Sequence, residues 1–185
     1  MELNKLDGSI IGVVSKDYKR DDYAGKLVKD VVIKKASDAL KMVGFTQDMQ
    51  DINFDDLSTG NQNRVILASH LQDNPIVLVN FSVGLTFKDI EFFKKLFKRI
   101  ASYGRKIVLV DNNSDLFFYL VDKVYVINKE NIEYETNDLF DKELKSYIDL
   151  PKIVEFTSKC EEKGIKINHY KDTDELLKAI YRIKS

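Results

Sequence analysis

The chain has 185 residues, and 44% of them are hydrophobic, which is enough for the core of one domain with a small appendage. Its 29 basic and 30 acidic residues nearly cancel, so the overall charge gives no support for nucleic acid or acidic lipid as a partner. The single cysteine, Cys160, excludes a disulfide within the chain, and it forms no recognisable metal-ligand cluster with His70 and His169. We therefore expect a cytoplasmic chain that holds no metal.

Four short apolar runs along the chain predict buried strands. They occupy residues 10–14, 76–81, 106–110 and 123–127. The runs are rich in β-branched residues and unbroken rather than alternating, which is typical of strands buried on both faces of a parallel sheet. Apolar residues at helical spacing lie between them, at residues 37–43, 61–71 and 87–103. This alternation of strand and helix predicts an α/β fold.

The chain changes character after the fourth strand. Residues 138–147 and 152–163 look helical, and Gly164 is a plausible helix stop. A last helix is expected over residues 173–182, with Asp172 or Thr173 as its cap. We therefore predict a main domain over residues 1–150 and a small α-rich extension over residues 151–185. The apolar runs are far shorter than the ~20 residues of a membrane span, so we expect no direct membrane insertion.

Several stretches together resemble one family. LSTGNQNRVILASHL (57–71) is similar to the signature loop and helix of ABC transporter ATP-binding subunits, LSGGQxxRVxxAxxL. IIGVV (10–14) resembles the strand before the Q-loop, NPIVLVNFSVGLT (74–86) the Walker B strand and D-loop, and GRKIVLVDNNSD (104–115) the H-loop strand. The chain looks most like the ATPases of energy-coupling-factor importers.

This resemblance implies a partial P-loop NTPase fold: a mostly parallel sheet flanked by helices, with the helical signature part at about residues 26–72. The closing residues resemble the C-terminal extension that helps two coupling-factor ATPase subunits to pair. A homodimer, or a heteromer with an ABC-type ATPase or transporter subunit, is the expected assembly. Such a partner would hold the chain peripherally at the membrane.

The P-loop, GxxxxGK[ST], which cradles phosphates in this family, has no match. The nearest stretch, RDDYAGKL, has Arg20 in place of the first glycine and Leu27 in place of Ser/Thr. Only nine residues precede Ile10, too few for the strand, loop and helix that come before the Q-loop in the family. We therefore expect the fold to lack the P-loop strand.

Five further positions differ from the pattern that the resemblance implies. Lys16 lies near the place of the Q-loop glutamine, Asn80 and Phe81 replace the Walker B aspartate and glutamate, and Thr86 and Asn112 replace the D-loop aspartate and the H-loop histidine. Asparagine brings no charge to Mg²⁺, and phenylalanine cannot activate water. The sequence therefore predicts no catalytic residue and no bound cofactor, with ATP and Mg²⁺ present only if a partner subunit holds them.

Two interpretations of the signature loop stay open. Ser58 and Gly60 match the family residues that close on a nucleotide held by the other subunit of a dimer. In the first interpretation these two residues complete an ATP site in trans. In the second, Ser58 only caps the helix that begins near Asn61, and Gly60 only eases the turn.

Other polar residues have simple structural interpretations. We expect His70 to fill a surface or partly buried packing position and Cys160 to be a packing residue. Asp111 ends a strand, where it is either an active group or, more simply, a loop or helix-cap carboxylate. The run Phe117, Phe118 and Tyr119 is expected to leave some aromatic surface exposed for a partner.

Without the P-loop strand, the H-loop strand would keep unpaired backbone groups, because the P-loop strand lies beside it in the family. Either the strand at 123–127 moves in, placing Val124 beside Val108, or another chain covers the edge. A non-catalytic interaction protein is the function we expect. The alternatives are a half-site partner acting through Ser58, and a small-ligand protein, for which no motif is present.

Overall fold

A computed structural model describes residues 2–33, 35–170 and 173–183. Within these ranges, five strands and seven α-helices follow in the order β1 (Ile10–Val14), α1 (Val28–Val31), α2 (Ala36–Met42), α3 (Thr59–His70), β2 (Ile76–Val79), α4 (Phe87–Ser102), β3 (Ile107–Val110), α5 (Ser114–Leu120), β4 (Lys123–Asn128), β5 (Asn131–Thr136), α6 (Lys152–Glu162) and α7 (Thr173–Ile183). The predicted α/β class is confirmed.

The predicted helix over residues 138–147 is wrong. Only a short 3-10 turn, Lys142–Ser146, forms there. Local side chains bond to the backbone before it: Thr136 Oγ1 accepts from the Asp138 amide, and Asp138 Oδ1 accepts from the Phe140 amide. Such side-chain bonds to the backbone compete with the hydrogen bonds of an α-helix, so this segment forms turns instead of an α-helix. The predicted cap at Asp172 lies outside the described residues.

The sheet has the strand order β2-β3-β1-β4-β5, with four parallel strands and β5 antiparallel to β4. Val108 of β3 pairs with Val77 and Ile11, whereas Val124 pairs with Gly12 and Thr136. Of the two alternatives for this strand, the one in which residues 123–127 move in beside Val108 is therefore wrong. β1 fills that place and becomes the central strand.

The glycine in β1 explains how this central strand meets the helical layer. A Cβ on Gly12 would lie 3.1 Å from ring atoms of Phe117 in α5, so the ring packs directly on the backbone of the strand. All five residues of β1 are buried. The strand is thus enclosed by β3 and β4 at its edges and by α5 above it.

The two faces of the sheet are covered differently. Helices α3, α4 and α5 and part of α6 pack on one face, in a large core that includes Phe93, Phe117 and Val154. The other face carries a smaller core in which Leu6 covers the strands. Two hydrogen bonds of 3.0 Å hold the N-terminal segment there, since the Tyr125 hydroxyl bonds both the amide and the carbonyl of Asp7.

The expectation for the aromatic run in α5 is wrong. Phe117 and Phe118 are both buried, and Tyr119 packs partly buried against the same core. All three side chains pack in or against one core cluster, where the Phe118 ring also meets the Phe140 ring with centroids 5.5 Å apart. Aromatic side chains are exposed elsewhere, at Phe87, Tyr103, Tyr147, Phe156 and Tyr181.

The C-terminal extension begins with α6, which ends at the predicted stop, where Gly164 adopts a φ of 76°. Val154 of α6 packs into the main core with Leu144 and Leu150. Leu176 of α7 is buried. The division of the chain at residue 151 stays a prediction.

Candidate functional site

The carboxyl ends of β2 and β3 are joined by one buried carboxylate. Asp111 accepts hydrogen bonds from the amide and the hydroxyl of Ser82, at 2.8 and 2.9 Å, and from the amides of Asn112 and Asn113, at 2.8 and 3.0 Å. Three of these donors bond Oδ1 and one bonds Oδ2, so both oxygens of the carboxylate are engaged. The loop-carboxylate interpretation of Asp111 is confirmed.

The two residues after β2 have opposite environments. Asn80 is exposed, has a left-handed φ of 50°, and donates its amide to the Val110 carbonyl at 2.8 Å. Phe81 is 1% exposed, and its ring centroid lies 4.7 Å from that of Phe93 and 5.8 Å from that of Phe97. The Phe81 side chain therefore belongs to the core and reaches no open site.

A buried amide next to Phe81 holds the following loop. Asn63 is fully buried on α3 and donates to the carbonyls of Phe81 and Val83, at 3.0 and 2.9 Å. Its Oδ1 accepts from Arg20 at 2.7 Å, and Arg20 also donates to the Asn80 carbonyl at 3.3 Å. Burial lowers the pKa of Arg20, and Asp111 partly offsets this. Arg20, which stands at the first glycine of the nearest P-loop-like stretch, therefore links Asn63 of α3 to the backbone that follows β2.

We call residues 58–60 with residues 83–87 the signature corner, because the start of α3 packs against the loop that leads into α4. A Cβ on Gly84, at a φ of 70°, would lie 2.5 Å from the Cβ of Thr59. Ser58 is exposed and caps α3, accepting from the Asn61 amide at 3.4 Å. Gly60 is buried, and a Cβ there would lie 3.3 Å from Asp89 Oδ2. Ser58 is thus open to a partner, whereas Gly60 faces its own chain.

The carboxylate of Asp89 holds the signature corner together by hydrogen bonds. It accepts from the amide and hydroxyl of Thr86, at 3.0 and 2.6 Å, and from Arg64 at 2.9 Å. Burial works to raise the pKa of Asp89, but the hydrogen bonds from Thr86 and Arg64 outweigh it and lower the pKa. Arg64 also lies over the Phe92 ring, 4.1 Å from its centroid. Thr86, at the D-loop position, therefore serves as a helix cap.

A second region lies at the carboxyl ends of β1, β3 and β4. We call it the strand-end cleft, which has a volume of about 550 Å³. Lys16 follows β1 and Asn112 follows β3, and both line this cleft, which residues 145–149 close from the other side. The structure thus brings together two of the five positions that the resemblance singled out, while Thr86 lies in the signature corner and Asn80 and Phe81 follow β2.

This chain is similar to known proteins in both sequence and fold. Energy-coupling factor transporter ATP-binding protein EcfA2 of Streptococcus sanguinis is 31% identical over 152 residues, which are 78% of this chain and 54% of that protein. EcfA2 of Spiroplasma kunkelii is 30% identical over 167 residues, 84% of this chain and 54% of that protein. This chain is a homologue of energy-coupling factor transporter ATP-binding proteins. It spans about half the length of the curated relatives that it matches.

The fold agrees with that of ABC ATPases. The ATP-binding cassette MJ0796, in a dimeric post-hydrolysis state bound to ADP and Pi, superposes with a TM-score of 0.51 at 20% identity, over 69% of this chain and 62% of that chain. No family model matches the sequence. The homology thus rests on the curated relatives, and the superposition supports the fold.

Two further observations concern metal binding and membrane-spanning helices. In the part of the chain that the structure describes, no group of three or more His, Cys, Asp or Glu side chains is placed to bind a metal ion. No helix among the described residues is both long and apolar enough to cross a bilayer.

His70 contacts two carboxylates, one of which is distant in the sequence. Its Nε2 lies 2.6 Å from Asp21 and its Nδ1 lies 2.7 Å from Asp73, so the ring bridges the two carboxylates. Asp21 is distant in sequence, and only the fold brings it near. Through its contact with Asp21, His70 links the end of α3 to the segment after β1.

Sequence reasoning missed the roles of Asn63 and Asp89. Asn63 lies among apolar residues on the inward side of α3, and a polar residue on a buried helix side was the available signal. Thr86 and Asp89 at a spacing of three, before an apolar run, match a capping box. That pattern predicts the cap but not the bond from Asp89 to Arg64.

Proposed function

We propose that this homologue is a non-catalytic, pseudo-ATPase member of its family that works by associating with an ABC-type ATPase or transporter subunit. Phe81 is the observation that carries the proposal. The resemblance puts the catalytic glutamate at this position, and the side chain there is sealed between Phe93 and Phe97. Neither a rotation of Phe81 nor a small loop movement would present a base to water.

The surrounding groups do not replace the missing carboxylate. Asp111, the buried acid nearest to this edge, already accepts four hydrogen bonds. Asn80 and Asn112 are neutral, and the 185 residues contain no GxxxxGK[ST] sequence. A general base contributes about 10²- to 10⁴-fold to a rate, and phosphate clamping adds more, so losing both leaves no useful hydrolysis.

The signature corner is the surface that fits a protein partner best. Val83, 51% exposed, lies beside Gly84 in the loop that packs on Thr59, and Phe87, 67% exposed, is the first residue of α4 after that loop. Exposed aromatic and aliphatic side chains on a fixed loop favour a protein interface. The dimeric state of the superposed cassette and the transporter names of the relatives support an ABC-type partner. Such a partner would also keep the chain at the membrane.

Calorimetry tests the absence of nucleotide binding. The purified 185-residue chain is titrated with MgATP, and we expect no heat of saturable binding. Micromolar binding by the isolated chain would overturn the pseudo-ATPase proposal, because the altered positions would then still serve a nucleotide.

Copurification tests the partner surface. The chain is co-expressed with tagged energy-coupling-factor ATPase and transmembrane subunits, and we expect it to be retained. Phe87→Glu should reduce retention at least tenfold, because it places a charge in the proposed interface. Tyr103→Glu, at the far end of α4 and 72% exposed, is the matched control and should leave retention unchanged. Equal effects of both substitutions would contradict the assignment of the surface.

A second candidate function is the half-site role, which the exposed position of Ser58 favours. In that role Ser58 completes ATP hydrolysis on an intact partner ATPase. Stimulation of the partner's ATPase rate, lost in Ser58→Arg and kept in Ser102→Arg, would support it. Retention of the chain without any stimulation would leave association as the function.

A further inference from the structure

The segment after β1 passes around one edge of the sheet. Its first part lies on the face opposite the helices, where Tyr18 packs against the smaller core. Its last part lies on the helical face, where Tyr23 packs against the larger core. β2 is an edge strand, and Arg20, in the middle of the segment, donates to the Asn80 carbonyl directly after it. We call residues 18–23 the edge strap.

Side-chain contacts attach the edge strap to α3. The strap itself contains no strand or helix. Its contacts with α3 are Arg20 with Asn63 at 2.7 Å, Asp21 with His70 at 2.6 Å, and the Tyr23 hydroxyl with that of Ser69 at 3.2 Å. Histidine is the residue type among these whose charge ordinarily changes between pH 5 and 8. The contact between Asp21 and His70 is therefore the one that a small change of pH alters.

His70 needs two ring protons to make both of its contacts. Its Nε2 lies 2.6 Å from Asp21, and its Nδ1 lies 2.7 Å from Asp73. An ionised carboxylate only accepts hydrogen bonds, and a neutral imidazole has a single N–H, so a neutral ring donates to one of the two carboxylates. The ring that bridges both is the imidazolium. In a neutral ring, one nitrogen lone pair would face a carboxylate oxygen at hydrogen-bond distance.

A neutral His70 would keep the contact with Asp73 and lose the contact with Asp21. Asp73 lies in the turn that follows α3, and its amide bonds the His70 carbonyl at 2.9 Å. That contact closes a short loop, whereas the contact with Asp21 spans 49 residues of sequence and costs more chain entropy. The loss of a ring proton therefore acts on the edge strap.

The neighbouring charged groups do not replace the imidazolium. The titratable groups of the strap and of the segments beside it are Arg20, Asp22, Tyr23, Lys26 and Arg105. Arg20 is engaged by α3, and Arg105 donates to the backbone carbonyl of Asp73 rather than to its carboxylate. Burial raises the pKa of Tyr23, and the charges of Asp21 and Asp73 raise it further, so the hydroxyl keeps its proton near neutral pH.

We propose that protonation of His70 closes the edge strap and that the strap loosens as the pH rises and the ring loses this proton. The closed strap holds one proton more than the open strap with a neutral ring, so closure is favoured at the lower pH. Among the described residues no other strand lies beside the outer edge of β2. Opening therefore uncovers a strand edge, which is a template for pairing with another extended chain. This switch lies within one chain and does not depend on the proposed function.

NMR spectroscopy of the purified 185-residue chain tests the switch. Long-range proton–nitrogen correlations of the His70 ring give its protonation state, and backbone order parameters of residues 20–22 give the order of the strap. At pH 6 we expect two ring N–H groups and order parameters of about 0.85. At pH 8.5 we expect a neutral ring and order parameters below about 0.6.

Two substitutions distinguish the switch from an ordinary structural contact. Asp21→Asn provides a carboxamide that both donates and accepts, so it bonds Nε2 in either protonation state of the ring. The order of the strap should then no longer depend on pH. His70→Gln removes the bridge between the two carboxylates and should leave the strap loose at both pH values.

His169→Gln is the matched control, because His169 is the other histidine of the chain and contacts Glu161 instead. This variant should respond to pH as the parent chain does, and thermal unfolding confirms that each variant is folded. Equal order of the parent strap at pH 6 and pH 8.5, or a single ring N–H at pH 6, would overturn the proposal. A pH response that survives in Asp21→Asn, or that is lost in His169→Gln, would overturn it as well.

Discussion

Arg64 is one of the few family-matching polar residues, and its side chain now has a structural explanation. It donates to the Val43 carbonyl at 3.0 Å and to Asp89 at 2.9 Å, and it lies over Phe92. The side chains of Arg64 and Asp89 are 18% and 17% exposed, so their ion pair is only weakly screened. One guanidinium thus fixes α2, α3 and α4 relative to each other.

Arg64→Met should lower the free energy of unfolding by about 2 kcal/mol, because the hydrogen bonds to the charged Asp89 are lost while the side-chain volume is kept. Urea denaturation followed by circular dichroism measures the change. Arg99→Met, an exposed arginine of α4, is the control and should change stability by less than about 0.5 kcal/mol. A similar loss in both variants would contradict a special role for Arg64.

The acid stability of the fold should depend on Asp89. Its pKa is lowered in the folded state, so the ionised group contributes stability above its unfolded pKa of about 3.9. That contribution is lost as the pH falls through the lower, folded pKa. We therefore expect Asp89→Asn to be less stable than the parent chain at pH 6, with the difference shrinking toward pH 2. Denaturation curves across this range decide it, and a difference that does not change with pH would count against the ionised form.

At the scale of elements, the position of β1 depends on a single missing Cβ. Gly12→Val should cost about 2–3 kcal/mol, because the new side chain would meet the Phe117 ring in a closely packed core. Phe117→Leu made in addition should recover part of this loss, since it clears the contact. Equilibrium unfolding of the single and double variants provides the coupling energy. Strictly additive losses would mean that the two residues do not oppose each other.

The strands and most helices follow from the sequence because burial and periodicity are local properties of a segment. Ile10–Val14 was expected as a buried strand and is one. Its neighbours were not foreseeable, because an unbroken apolar run says that both faces are covered but not by which strands. The helix expected at 138–147 failed for the opposite reason, since local bonds at Thr136 and Asp138 outweighed the apolar pattern.

The candidate site divides in the same way. The cap at Ser58 and the loop carboxylate at Asp111 were among the simple interpretations of local sequence, and the contacts agree with both. That Lys16 and Lys145 line one cleft could not be predicted, because it depends on β1 lying between β3 and β4. Long-range pairing is where the sequence patterns stop being informative.

For the whole molecule, the unequal covering of the sheet is the feature with the largest consequence. A parallel sheet is normally covered on both faces, and here the face opposite the helices is closed by the N-terminal segment. Leu6 belongs to that smaller core together with Ile11 and Val108, and the Tyr125 hydroxyl bonds the backbone of Asp7. The N-terminal segment, which contains no strand or α-helix, thus covers this face of the sheet as a second layer.

Leu6→Ala should therefore lower the free energy of unfolding by about 2–3 kcal/mol, because it removes a buried side chain from a face that has few other covering groups. It should also speed hydrogen exchange at the amides of β1 and β3, whose side chains lose their cover. Leu177→Ala is the control, because it is the same substitution at a leucine of α7 that is 46% exposed. It should lower the free energy of unfolding by well under about 1 kcal/mol. If the two variants unfold at the same denaturant concentration, the N-terminal segment does not form the second layer, and another part of the molecule or its partner must cover the sheet.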